Sequence, residues 1–374
     1  MNEMNKSRNN GSSSNSKSDR SNSSNSGSNN TNNSINSSGK NRNNRNRGDK
    51  KGTAPSVLKK IINAKELTLI IVLVVFIALF RVLNENFLSL SNIRSIFNSA
   101  FVMGTLAVGS ACLLISGKID LSAGNTGMLA GILAAMLLRA GMPWVPALLI
   151  TLLFGAATGL INAFFVNVMK FAPFIATLAV SAIYNGLALV ITNAQNVPIG
   201  NKSFLKLGAT NFGPFPLLFV ITIVLLAVYG IILYATGFGR RIYMTGGNSN
   251  AARLAGIKPG RITTILFVNN SVIACLTGIL VASRMNMGSP SAIAGADLDA
   301  ITAVILGGVA FTGGTGNMFG VFVGLMLISS FQNGLVVVGF HPYYQVVAKG
   351  ILLLAALILD YYRENAKTKT REIE

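Results

Sequence analysis

The sequence predicts an all-α, polytopic membrane protein with about ten transmembrane helices, inverted-topology repeats and a disordered N-terminal tail. Three observations predict it. Ten apolar runs follow one another, most near the ~20 residues a helix needs to cross the hydrocarbon. One polar, basic segment, Thr236–Arg261, interrupts them and belongs in water. Three short motifs of the first half recur in the same order in the second.

Composition narrows the class. The chain is 51% hydrophobic and 11% charged, too apolar for a soluble domain of its 374 residues. The formal charge of +19 does not mark a nucleic-acid binder. Residues 1–66 hold 13 Lys/Arg against 4 Asp/Glu, the remainder is spread over short loops and the C-terminal end, and no basic stripe alternates with aromatics. Cys112 and Cys275 both lie inside apolar runs, which reads as two buried thiols rather than a disulfide or metal set.

Residues 1–60 form an Asn/Ser-rich tail that cannot bury enough apolar surface to offset chain entropy. Lys59, Lys60 and Lys65 precede the first apolar run and place the tail in the cytoplasm. Residues 61–362 are the membrane domain, and 363–374 a cytoplasmic C-terminal tail. The predicted spans are 67–83, 97–116, 121–140, 145–168, 173–192, 215–235, 262–282, 298–311, 318–338 and 344–359. The eighth is short and carries Gly307 and Gly308, so it reads as tilted or broken. The longest outer loop is 193–214.

The central segment reads as one short helix. Asn248 or Ser249 caps it, Gly256 gives a left-handed C-terminal cap, and Pro259 stops continuation. Its outer side is basic, with Arg240, Arg241, Arg253, Lys258 and Arg261. A soluble partner fits there.

Gly155-Ala-Ala-Thr-Gly159 echoes Gly320-Val-Phe-Val-Gly324, Phe171-Ala-Pro173 echoes Phe340-His-Pro342, and Ile119-Asp120-Leu-Ser122 echoes Ala296-Asp297-Leu-Asp299. Spans two to five then match spans seven to ten. A shift of five spans reverses direction, and such inverted repeats place a substrate path at their interface. The glycine pairs read as close helix contacts.

Polar residues within spans face inward or each other. Asn125, Asn162, Asn185, Asn269, Asn270, Gln332 and Asn333 are the candidates for lining a path, with Gln345 beside them. A neutral solute needs amides and hydroxyls rather than fixed charge. Asp120, Asp297 and Asp299 lie at span ends and suit helix N-termini. No metal set, no catalytic grouping and no G-x-x-x-x-G-K-[ST] phosphate loop occurs, so the chain reads as a non-enzyme that binds no cofactor, and any ATP is used by a partner subunit.

Ser116-Gly-Lys-Ile-Asp-Leu-Ser122, Phe174-Ile-Ala-Thr-Leu178, Gly239-Arg-Arg-Ile-Tyr-Met-Thr-Gly-Gly-Asn248, Ala251-Ala-Arg-Leu-Ala-Gly-Ile257, Leu298-Asp-Ala-Ile-Thr-Ala-Val-Ile-Leu-Gly-Gly308 and Gly313-Gly-Thr-Gly316 carry a resemblance. Over about 67–360 the chain resembles the permease subunits of ribose/xylose-type ABC sugar importers. It departs from their pattern at Lys118, at Ala123-Gly-Asn125 and at Phe311-Thr-Gly313. The resemblance implies a permease in the cell membrane that moves a monosaccharide by alternating access. It implies a second permease subunit, identical or not, an extracytoplasmic sugar-binding protein and a cytoplasmic ABC ATPase. It implies that Arg240, Arg241, Gly246, Gly247, Asn248, Ala251, Arg253, Leu254, Gly256 and Ile257 form the ATPase-coupling loop. The alternatives are an importer of a nucleoside or another small polar solute, and an ion-coupled secondary transporter.

Overall fold

Residues 64–371 are described by the structure, a computed structural model. The predicted disordered tail, 1–60, lies outside them. Each apolar run folds as a helix. In chain order these are α1 (Ala64–Leu83), α2 (Leu90–Ile115), α3 (Ala123–Arg139), α4 (Trp144–Ala163), α5 (Pro173–Thr192), α7 (Leu217–Ala235), α10 (Pro259–Met285), α11 (Ala296–Leu306), α12 (Met318–Val338) and α13 (Pro342–Arg371). Short helices lie between them: α6 (Lys202–Ala209), α8 (Gly237–Gly247) and α9 (Ser249–Leu254). Two short antiparallel pairs complete the fold, β1 (Val197–Pro198) with β4 (Met287–Gly288), and β2 (Asn211–Phe212) with β3 (Phe215–Pro216).

Among the described residues six helices, α2, α4 with its extension to Val168, α5, α7, α10 and α12, are long and apolar enough to cross a membrane, and α1, α3 and α13 contribute shorter apolar stretches. The chain is a multi-pass membrane protein. α2 and α10 are the central pair. Of their most apolar stretches 83% and 72% is buried inside the protein, against 28% for α7, whose apolar surface mostly faces outward.

Several boundaries differ from the sequence expectation. α2 starts at Leu90 because Ser89 caps it, its hydroxyl accepting from Asn92 N–H. The eighth run helps only from Ala296 to Leu306. Asp297 and Asp299 sit in its first turn and Gly307 ends it. α4 continues as a π-turn, Phe164–Val168. There Asn167 bonds both Thr263 and Thr264 of α10. The 193–214 loop contains α6, capped by Asn201 on Phe204 N–H. α13 continues through Arg371, into the region read as a C-terminal tail.

The packing is reciprocal between halves. α3 packs on α4 and α5, as α11 packs on α12 and α13. α2 packs on α11 and α12, as α10 packs on α3 and α4. The first helix of each set therefore leans on the second and third of the other. Small residues permit this. In lipid, close van der Waals contact between helices replaces the hydrophobic drive. A Cβ on Gly278 of α10 would overlap the Gly127 carbonyl oxygen of α3. One on Gly159 of α4 would lie 2.5 Å from the Val268 Cα, and Gly320 and Gly324 of α12 press equally on Gly307 and Ala303.

Candidate substrate path and coupling element

Two helices begin part-way across the bundle. α3 starts at Ala123 after a non-helical segment from Gly117, and α11 starts at Ala296 after the irregular stretch that follows Met285. Their N-terminal ends meet: a side chain at Gly124 would come within 3.1 Å of the Asp297 carboxyl carbon. The two Asp-Leu motifs that echo each other in sequence are thus neighbours in space.

Asp120 is the centre of a buried polar cluster at this meeting point. Its Oδ1 accepts from the Ser122 N–H (2.9 Å) and hydroxyl (2.6 Å), a local turn that aims α3. Its Oδ2 accepts from Asn270 Nδ2 (3.0 Å) of α10. Asn162 of α4 donates to the Ser122 hydroxyl (2.7 Å) and reaches Asp120 at 3.4 Å. The next backbone N–H, of Leu121, donates to the Thr177 hydroxyl of α5 (3.1 Å). Asp120 therefore fastens the segment before α3 to α4 and α10, and the Leu121 N–H fastens it to α5. Asp120 stands three residues ahead of α3 rather than in its first turn. Asp297 and Asp299 are in the first turn of α11, where the helix dipole favours them. Asp299 also pairs with Lys349 of α13 at 2.8 Å.

The other candidate amides are dispersed. Asn125, half-buried on α3, donates to the Ser181 hydroxyl (2.7 Å) and carbonyl (3.1 Å) of α5. Asn269 accepts from the Tyr229 hydroxyl, and its own amide nitrogen has no partner among the described residues. Gln332 and Asn333 on α12 each hold one unpartnered buried atom, Nε2 and Oδ1. Asn185 is half-buried on α5. Asn162 and Asn270 belong to the Asp120 cluster, and the other five do not. Ser122, Thr177, Ser181 and Tyr229 complete these networks. Single hydroxyls in apolar runs carry no spacing signal, although Asp-x-Ser at 120–122 has the pattern of a local turn.

The basic segment forms two helices, α8 and α9, not one. Thr236 caps α8 through Gly239 N–H (3.1 Å), and Asn248 caps α9 through the N–H groups of Asn250 and Ala251 (3.0 Å each). Gly256 closes α9 at φ 78°, which lets Ile257 N–H reach the Ala252 carbonyl (3.0 Å). Leu254 is 91% exposed at the tip, beside exposed Arg253.

α8 is locked to both half-helix segments. A Cβ on Gly246 would overlap the Ile115 carbonyl oxygen and lie 2.7 Å from Gly314 N, and that N–H donates to the same carbonyl (2.8 Å). Gly313 sits equally close to Gly117. The Tyr243 hydroxyl donates to the Gly316 carbonyl (2.7 Å). The end of α2, the segment into α3 and the loop out of α11 therefore share one glycine junction with α8. Lys118 lies in this region beside Lys170; burial first, and that neighbouring charge second, lower its amine below the ordinary lysine range.

Residues 92–357 match the family described as branched-chain amino acid transport system / permease component. The chain belongs to this permease family. It is 34% identical over 290 residues to the ribose import permease protein RbsC of Bacillus subtilis, covering 77% of this chain and 90% of that one. It is 34% identical to the L-arabinose transport system permease protein AraH of Escherichia coli over 79% of this chain and 91% of that one. To the ribose import permease protein RbsC of Escherichia coli it is 34% identical, over 78% and 92%. No solved structure matches.

Proposed function

We propose that this permease is the membrane-spanning subunit of an ATP-driven importer for a monosaccharide of the ribose, xylose or galactose class. Curated relatives named for ribose and L-arabinose, matched over nearly their whole length, support the substrate class. The observation that carries the mechanism is the glycine junction, because it joins a basic surface element to both half-helices.

In this reading ten elements cross the membrane, α1–α5, α7 and α10–α13, with α2–α5 and α10–α13 as inverted repeats. Both termini and the α8–α9 element are cytoplasmic. Two permease subunits, identical or not, enclose the path, and a sugar-binding protein loads it from outside. The chain binds no cofactor; ATP is bound and hydrolysed by a separate ATPase that seats on α8–α9. The exposed tip of α9, Arg253 and Leu254, enters that partner, and Gly246 and Gly247 pass its movement to the segments before α3 and after α11. Asn125, Asn185, Asn269, Gln332 and Asn333 offer amides to the sugar. Asn162 and Asn270 shape the path through Asp120.

Uptake of radiolabelled ribose, xylose, arabinose and galactose tests this, in cells carrying wild type or Leu254→Asp, with the ATPase co-purified in parallel. Leu254→Asp is expected at normal membrane levels with uptake and ATPase recovery both down at least 10-fold. Uptake that needs no ATPase and collapses with the proton gradient would replace this mechanism. Displacement of label by a nucleoside or a branched-chain amino acid would replace the sugar.

A further inference from the structure

A cleft of about 380 Å³ opens between α7 and α12, on the half of both helices nearest α8. Its lining is wholly apolar and includes Ile223, Leu226, Gly230, Met318, Phe319 and Phe322. Gly230 makes the notch. A side chain there would meet only Met318 Cβ, at 3.5 Å, so the space beside Gly230 is otherwise open.

α8 bridges the two helix ends that flank the cleft. At one end Gly239 rests on the last turn of α7, where a Cβ would lie 2.5 Å from the Ile232 carbonyl oxygen. At the other end Tyr243 is hydrogen-bonded to Gly316, two residues before α12 begins. Arg240 and Arg241 occupy the stretch between these anchors, and both are exposed. The Arg240 guanidinium turns back towards Gly237, 3.7 Å from where a Cβ would stand, which keeps it at the α7–α8 corner. Among the described residues neither arginine forms an ion pair, and neither α8 nor α9 contains a carboxylate. Tyr234, 91% exposed on the last turn of α7, sets an aromatic ring at the same level, where membrane proteins meet the headgroups.

An apolar slot between two helix ends that are bridged by an element carrying two exposed, unpaired arginines suits one lipid. We propose that this cleft binds an anionic phospholipid, with an acyl chain over Gly230 and the phosphate on Arg240 and Arg241. Arginine suits the phosphate because its planar fork can hold two oxygens at once. A second copy of this chain fits the slot poorly. It would bring another α8 to the same corner, cation against cation, with no carboxylate on either side. The inference rests on the multi-pass architecture; it gives Arg240 and Arg241, at the α7–α8 corner, to lipid and leaves the α9 tip, Arg253 and Leu254, to the ATPase.

The test uses the full-length permease, purified without ATPase from nanodiscs holding equal phosphatidylglycerol and phosphatidylcholine. Native mass spectrometry reads the lipid retained. Wild type is expected to hold phosphatidylglycerol over phosphatidylcholine by at least 5-fold. Arg240→Ala with Arg241→Ala should bring the ratio close to one, and Gly230→Trp, which fills the notch, should cut retention of both lipids. The arginines are exposed, so their double variant decides the matter even if Gly230→Trp does not fold. Equal retention of both lipids by wild type overturns the proposal, as does a double variant that keeps the wild-type ratio. So does a Gly230→Trp protein that keeps its lipid but loses self-association, because the cleft is then a contact between copies.

Discussion

Asp120 shows how one side chain can position a segment. It is 2% exposed and surrounded by donors from Ser122, Asn162 and Asn270. Asp120→Ala would leave those donors buried without an acceptor. Leaving a buried donor unsatisfied costs roughly 1–3 kcal/mol. The expected outcome is a protein that unfolds at markedly lower temperature and reaches the membrane in reduced amount, yet whose surviving molecules keep the wild-type order of preference among sugars. A changed preference with an unchanged melting temperature would make Asp120 a sugar contact instead. Asp299 is held differently, by Lys349 at 2.8 Å.

At the scale of elements, the α8–α9 pair separates what the sequence displays from what only packing produces. Asn248, Gly256 and Pro259 are local signals, and the end and cap of α9 follow from them. α8 was not legible. Gly-Phe-Gly-Arg-Arg-Ile-Tyr-Met-Thr-Gly-Gly has four glycines and a poor intrinsic tendency to form a helix. Tertiary contact overrides that tendency, since Gly239 and Gly246 are where α8 must touch backbone. The same division holds for the site. Asn162 and Asn270 stand out as polar residues in apolar runs, but their shared partner is 42 and 150 residues away in the chain. The glycine junction carries its own prediction. In Gly246→Ala the added methyl cannot fit without moving Ile115 or Gly314. Sugar imported per ATP hydrolysed is expected to fall at least 5-fold while the ATPase still co-purifies. Tyr243→Phe, which removes one hydrogen bond and no packing, should give a smaller fall in the same ratio. A Gly246→Ala protein with wild-type coupling would mean that α8 is a docking surface alone.

At the scale of the whole molecule, the inverted-repeat architecture depends on whether a broken helix completes a crossing. α11 has 11 residues, far fewer than the ~20 a straight span needs. The segment before it must supply the rest of the path, from β4 beside β1 down to the Gly124–Asp297 contact. Irregular backbone at membrane depth is tolerated only where protein covers it, and Ser289 and Ile293 in that segment are buried. If the segment and α11 together make one crossing, Asn250 and Thr312 share a face, and Asn211 and His341 lie on the other. All four are exposed. Single cysteines at these positions, in a Cys112→Ala, Cys275→Ala background, make the arrangement readable with an impermeant maleimide. Asn211→Cys and His341→Cys should label on intact cells, and Asn250→Cys and Thr312→Cys only after permeabilisation. Labelling of Thr312→Cys from outside, with Asn250→Cys protected, would mean that α11 turns back and the crossing number is odd. The second repeat would then no longer be the inverse of the first, and the matching of α11 with α3 would fail with it.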